Sequence, residues 1–203
     1  MKSTNAPSTR YKLSFTAGGL YLKTAPVAVS LYLDLRNWPD VRAALDAENL
    51  LQARTTSSAK RWGRELVQRL EELDDEEIEL LAEGTSDERA HLMWAAACRR
   101  YELVGEFAEE VLRERFLLMQ TDLLPEHFET FIRGKLLWHE ELAELEDSTL
   151  LKLRTSLFLM MREAGLVTAQ GVIIPIVLSV RVRENLSRHV PNDIRFFPSV
   201  EAQ

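Results

Sequence analysis

Apolar residues recur along the chain at three- and four-residue spacing, and prolines, glycines and short polar turns interrupt them. That is the pattern of successive amphipathic helices. Pro26 and Pro39 each sit where a first helical turn tolerates proline, so APVAVSLYLDLRNW and PDVRAALDAEN read as the first two helices, with Asn37 as N-cap of the second. A third helix begins at Ser57 or Ser58 and runs to about Leu73. A short acidic helix ends at Gly84, and Thr85 with Glu88 has the spacing of a capping box. Helices are expected from there to about Val104, from Gly105 to Met119, from Pro125 to about Trp138 and from Ser148 to Gly165, with a short acidic one after Trp138. GLVTAQGVIIP is the one convincing hairpin, and VRVRENLSRH is a last amphipathic helix.

The fold class is therefore mainly α: a multi-helix domain with a helix-turn-helix-like N-terminal unit and a winged-helix-like β-hairpin near the C-terminus. Two lobes are expected, residues 1–84 with a basic helix and residues 85–190 with the hairpin, followed by a tail over 191–203. The hairpin unit resembles a second DNA reader only in outline. Leu150, Leu151, Leu153, Leu157, Phe158, Leu159, Met160 and Met161 cover nearly the whole helix before it, which marks a buried helix. Lys152 and Arg154 lie about 200° apart at helical pitch and form no stripe. Any exposed part of LFLMM or VIIP is expected to dock a partner or a second copy, which makes a homo-oligomer one expectation.

Composition narrows the class. Few glycines and prolines with abundant Leu, Ala, Glu and Arg favour helices. A single cysteine, Cys98, excludes an internal disulfide and fits a reducing compartment. No segment approaches the roughly 20 apolar residues that cross a bilayer, so a cytoplasmic protein without a membrane partner is expected. The net charge of −7 is unevenly spread: residues 71 to 88 hold ten acids and no base, and the remainder holds 25 basic and 22 acidic residues. Local sign decides what a face attracts.

The third helix carries the local excess. At about 100° per residue, Ala59, Trp62, Leu66, Leu70 and Leu73 share one face, and Lys60, Arg61, Arg64 and Gln68 the opposite one. Arg69 flanks the apolar edge, and Glu65 alone offsets the charge. Arg54, Thr55, Thr56, Ser57 and Ser58 precede it, offering hydroxyls and free first-turn N–H groups to phosphate oxygens. With the helix before it, this forms a helix-turn-helix-like unit with a basic outer face; Gln68 or an arginine would reach base edges. The alternative is a solvated face that pairs with the adjacent acidic block. In the N-terminal arm, Arg10 and Lys12 precede any acid; they either track a phosphate backbone or belong to a mobile tail.

YKLSFTAGGL, ENLLQARTTSSAKR, ELLAEG, CRRY, FAEEVLRE and REAGLV…G…IIP, in this order across roughly residues 11 to 185, resemble the BrxA family of the BREX phage-defence systems. The resemblance implies a small helical protein, likened to an RNA-binding antitermination fold, that binds double-stranded DNA and works with other BREX subunits. It carries over Arg54, Thr55, Ser57, Ser58, Lys60 and Arg61, and implies no catalytic centre.

The residues themselves suggest little catalysis. None of His91, His127, His139 and His189 forms an HExxH pair, and none has a second ligand at zinc spacing. His91 is expected at the surface, Cys98 packed and His139 on a solvated acidic helix. Gly18-Gly19 lacks the Lys and Ser/Thr of a phosphate loop. Trp38, Trp62, Trp94 and Trp138 suit core packing, and Arg99 suits an ion pair with Glu102 or Glu106. No metal, small-molecule cofactor or catalytic residue is expected. The expected function is DNA binding, with the alternative of an adaptor whose basic face docks an acidic partner subunit.

Overall fold

The computed structural model describes residues 10–16, 18–47, 50–51 and 55–200. They form helices α1 (Ala25–Leu35), α2 (Trp38–Ala47), α3 (Thr56–Leu70), α4 (Asp75–Glu83), α5 (Ser86–Arg100) and α6 (Glu102–Phe107). A π-helical turn (Ala108–Arg113) leads into α7 (Glu114–Leu117), followed by α8 (Pro125–Lys135), α9 (Glu140–Ala143), α10 (Asp147–Glu163), α11 (Val180–Ser187) and a 3-10 helix (Asp193–Phe196). No helix among the described residues is long and apolar enough to cross a membrane.

Local chemistry sets most of the helix starts. Asn37 Oδ1 accepts the Asp40 N–H at 3.1 Å, capping α2. Asp74 and Glu77 form a reciprocal capping box on α4, and Thr85 and Glu88 another on α5. The expected continuous helix beyond Arg100 is broken at Tyr101, whose backbone is extended. Its fully buried ring is pinned by a hydroxyl bond to Glu65. Gly105 makes the corner possible, since a Cβ there would stand 2.9 Å from the Cys98 carbonyl oxygen.

A continuous apolar core runs from Tyr11 to Phe197, with Trp94 fully buried within it. The indole N–H of Trp94 donates to the Phe196 carbonyl at 3.0 Å. Residues read as a tail are therefore structural: Ile194, Phe196 and Phe197 are buried. The arm is anchored too. Tyr11 is buried, stacks on His139 at 3.6 Å, donates its N–H to Glu141 and its hydroxyl to Glu106. His139 and His91 are thus both core residues, not surface ones, while Trp138 is 64% exposed.

The winged-helix hairpin is not formed, and the described residues contain no sheet. Val167 and Ile173 make one isolated antiparallel bridge, and Asp122 makes another with Val172. Two local features prevent a ladder. Gly165, at φ +73, turns the chain sharply out of α10, and Pro175 has no N–H to continue beyond Ile174. α10 is buried along one side only, through Leu153, Leu157, Met160 and Met161, whereas Leu150, Phe158 and Leu159 are half-buried and Leu151 is exposed, so it is less enclosed than its apolar circumference suggests.

Arg99 ties three elements together. Its guanidinium donates to both Glu77 oxygens at 2.7 and 2.6 Å, to Asp193 at 2.6 Å and to the Glu72 carbonyl at 2.8 Å. Its role is structural, but its partners are distant acids and not Glu102 or Glu106. Arg99→Met would leave the fully buried Glu77 without its partner. The expected cost is about 3–5 kcal/mol, read as a steep fall in thermal midpoint.

Acid should act through the same class of contact. Glu88 accepts from the Thr85 N–H, the Ser179 hydroxyl and Arg181, which hold its carboxyl at about 2 against an ordinary 4.5. Its folded pKa is depressed, so its stabilisation is complete above about pH 4.5 and is lost as pH falls toward about 2. Thermal midpoints measured across that window should decline, and Glu88→Gln should flatten part of the decline.

Candidate nucleic-acid interface

α3 is built so that its two sides are chemically opposite. Thr55 adopts an extended backbone and its hydroxyl accepts the Ser58 N–H at 3.2 Å, capping the helix. The Thr55 hydroxyl also lies 3.0 Å from that of Ser58 and 3.4 Å from that of Ser57, so three hydroxyls cluster at the helix start. Ala59, Gly63, Leu66, Val67 and Leu70 face inward. Gly63 lets α2 approach closely, since a Cβ there would lie 3.2 Å from Asp46.

The inward side also holds two charges: Glu65, expected to offset the basic face, and Arg69, expected at the apolar edge. Glu65 is 3% exposed and accepts the Tyr101 hydroxyl. Arg69 is fully buried, donates to the Gly19 carbonyl at 2.6 Å and lies over the rings of Tyr21 and Tyr101 at 4.9 and 5.3 Å. Burial pushes the Tyr101 hydroxyl up, and the Arg69 charge opposes it. Glu65 therefore does not offset the outer face. Lys60, Arg61 and Arg64 are exposed and have no ion pair among the described residues.

The acidic block does not neutralise them either. Glu72 pairs with Arg100, Asp75 with Arg36, Glu77 with Arg99, Glu88 with Arg181, and both Asp74 and Glu76 with Arg188. Each acid in those pairs meets an arginine from outside α3. Among the described residues, the pairing between this face and the acidic block that the sequence left open is not formed. Gln68 is half-buried and contributes less to that face than its angle suggests. Arg54 lies outside the described residues.

Arg10 and Lys12 belong to a different place. Arg10 pairs with Glu144 at 3.1 Å, and both basic residues line a cleft of about 430 Å³ with Arg100, Glu102, Glu109 and Arg195. No α3 residue lines it. One three-donor cluster, Asp74, Glu77 and His189, has its ligand atoms within 4.8 Å of one another. Arg99 occupies both Glu77 oxygens and Arg188 stands 3.6 Å from Asp74, so a metal cation there would meet two guanidiniums.

Sequence reasoning missed a cavity of about 480 Å³ beside the cationic face. Its lining includes Tyr21, Leu22, Lys23, Leu51, Trp62 and Glu163, and most of its surface is apolar. Trp62 is only half-buried, so it is a cavity wall more than a core residue. The Glu163 carboxylate accepts the Leu20 N–H at 2.5 Å where Gly19 leaves room for it. The available signal was Gly18-Gly19 two residues before Tyr21, considered as a phosphate loop and set aside; Gly18 and Tyr21 both have positive φ.

The sequence model of the BrxA family matches residues 9–190. The chain is 26% identical over 159 residues to the BREX protein BrxA of Paramagnetospirillum magneticum, covering 78% of this chain and 80% of that one. It is 28% identical over 153 residues to the BREX protein BrxA of Escherichia coli O9:H4, covering 74% and 70%. With the BREX protein BrxA of Bacillus cereus it shares 27% identity over 146 residues, 72% of each chain. The fold is similar to a crystal structure of an uncharacterized protein from Magnetospirillum magneticum, with a TM-score of 0.83 and 24% identity over 94% of this chain and all of that one.

The two sides of α3 should respond differently to substitution. Replacing Lys60, Arg61 and Arg64 with Ala should shift stability by no more than about 0.5 kcal/mol per site, because all three are exposed and none forms an ion pair among the described residues. Arg69→Ala empties a fully buried site and removes the contacts to the Gly19 carbonyl and the rings of Tyr21 and Tyr101, at an expected cost of about 3 kcal/mol or more. Urea unfolding of the two variants measures both.

Proposed function

The chain belongs to the BrxA family, and on that premise we propose that it is a double-stranded-DNA-binding component of a BREX phage-defence system. It holds the duplex mainly through the phosphate backbone and works alongside other BREX subunits. The observation that carries this reading is the outer side of α3: three exposed cations without acidic partners among the described residues, behind a capped helix start that presents clustered hydroxyls. Such a surface gains affinity by releasing the counterions condensed on DNA, and helix starts are good phosphate sites. α2 packed on α3 supports a helix-turn-helix-like presentation of that face.

The reading assigns no chemistry to the protein. Contacts to phosphates fix position and carry little sequence information, so binding should differ little between unrelated duplexes. The alternative, an adaptor whose basic face docks an acidic subunit, uses the same residues and differs in ligand.

Gel-shift titration with two unrelated duplexes separates them. Both duplexes should be retained, and affinity should fall as salt rises. Replacing Lys60, Arg61 and Arg64 with Ala should weaken both equally and flatten the log–log salt slope by about 0.9 for each phosphate that is no longer neutralised. A folded triple variant with unchanged affinity would remove α3 as the DNA-binding surface. Failure of either duplex to bind at low salt would favour the adaptor.

A further inference from the structure

The cavity beside α3 differs from the cationic face in kind. Phosphates need donors, yet Trp62, Leu22 and Leu51 make much of its wall apolar. A ligand for such a site is flat, largely apolar on its faces and polar at one edge. Trp62 packs in part against the core, is half-buried, and turns the rest of its surface to the cavity that it lines. Tyr21 forms another part of the wall, with the Arg69 guanidinium over its ring at 4.9 Å.

The surroundings select among flat ligands. Lys23 lines the cavity, is exposed and has no ion pair among the described residues. Arg61 lies close enough to act on the Tyr21 hydroxyl, which burial pushes up to about 12 against the pull of Arg69 and Arg61. Cations thus border an aromatic-walled cavity. Glu163 is the one acidic residue in its described lining and can accept from an amino group. Stacking surface, neighbouring cations and an edge acceptor together match a nucleotide better than an aliphatic side chain.

Resting on the DNA-binding reading above, we infer that this cavity takes an unpaired base of the bound nucleic acid, one with an exocyclic amino group, while α3 holds the flanking phosphates. Tyr21 and Trp62 supply the stacking surface, Glu163 accepts from the amino group, and Lys23 and Arg61 meet the adjacent backbone. A base inside an intact duplex is costly to extrude, whereas a bulged base has no pair to break. The protein should therefore prefer duplexes that carry an unpaired adenine or cytosine.

The test compares a fully paired duplex with the same duplex carrying one bulged adenine. The bulged duplex should bind about tenfold tighter, the order expected for one base stacked on an aromatic side chain. Replacing the bulged adenine with photoreactive 5-iodocytosine, which keeps an exocyclic amino group, should then give crosslinks to Tyr21 or Trp62 on irradiation, located by mass spectrometry. Trp62→Leu, checked for folding by circular dichroism, should abolish the preference while keeping paired-duplex affinity within about twofold. Glu163→Gln should weaken the preference for bulged adenine over bulged thymine.

Equal affinity for paired and bulged duplexes, with no crosslink to Tyr21 or Trp62, would overturn the inference and leave the α3 reading standing. If neither duplex binds at low salt, both fall. The crosslink is read on the unaltered chain, so an unstable Trp62 variant does not rescue or obscure the result.

Discussion

The buried pair of charges on α3 is the constraint from which the rest of the site follows. A guanidinium fully removed from water needs donors satisfied and charge compensated. Arg69 meets this only in part: it donates to the Gly19 carbonyl and lies against the faces of Tyr21 and Tyr101, while its Nε and Nη2 are buried without a hydrogen-bond partner among the described residues. Glu65, one turn earlier, takes the Tyr101 hydroxyl. These contacts fix the rotation of α3 about its axis, because turning the helix would expose the pair's partners and bury Lys60 or Arg64 without any. They also fix the Gly18–Tyr21 loop against the helix, and so one wall of the neighbouring cavity. Position of the loop, orientation of the cationic face and break of the chain at Tyr101 are three consequences of one arrangement.

A second ionic centre does the opposite task for the acidic residues. Arg99 links Glu77 of α4 to Asp193 near the C-terminus, and Arg188 spans Asp74 and Glu76. An acidic surface beside a cationic one would weaken any field that attracts a polyanion. Pairing several of these acids with arginines from α5 and the end of α11 lowers that opposition. A chain with net charge −7 can in this way keep a local positive face. Total charge is a poor guide here because ion pairs cancel locally, within about a Debye length, before the sum is felt.

Much of the helical order was legible in the sequence because caps are local. Asn37, Thr85 and Pro125 announce helix starts through groups three or fewer residues away, and each start is found where those residues put it. The outer face of α3 was legible for the same reason, since helical pitch alone separates Lys60, Arg61 and Arg64 from Leu66 and Leu70. Features that depend on distant partners were not. Glu65 reads as an offset to the basic face and Arg69 as a flank of the apolar edge, and only Tyr101 and Gly19, far away in sequence, draw them fully inside. His139 looks solvated among acids until Tyr11 stacks on it. The hairpin failed differently: the strand pattern was present, but its second arm also pairs with a distant segment, Ile173 donating to the Thr121 carbonyl and Val172 bridging Asp122, so only isolated bridges form.

The same distinction explains why the cationic face and the cavity beside it were not equally visible. A charged helix face needs one element and one periodicity. The cavity needs the Gly18–Tyr21 loop, Leu51 before α3, Trp62 on α3 and Glu163 at the end of α10, four stretches that no local pattern connects. Gly19 is the point where they meet. Its carbonyl takes Arg69, and the absence of a side chain lets Glu163 reach the Leu20 N–H. A Cβ at that position would stand 2.0 Å from the Glu163 carboxylate and displace it. One residue without a side chain thus joins the charge buried under α3 to the acid that lines the cavity, so the two surfaces are parts of a single packed unit.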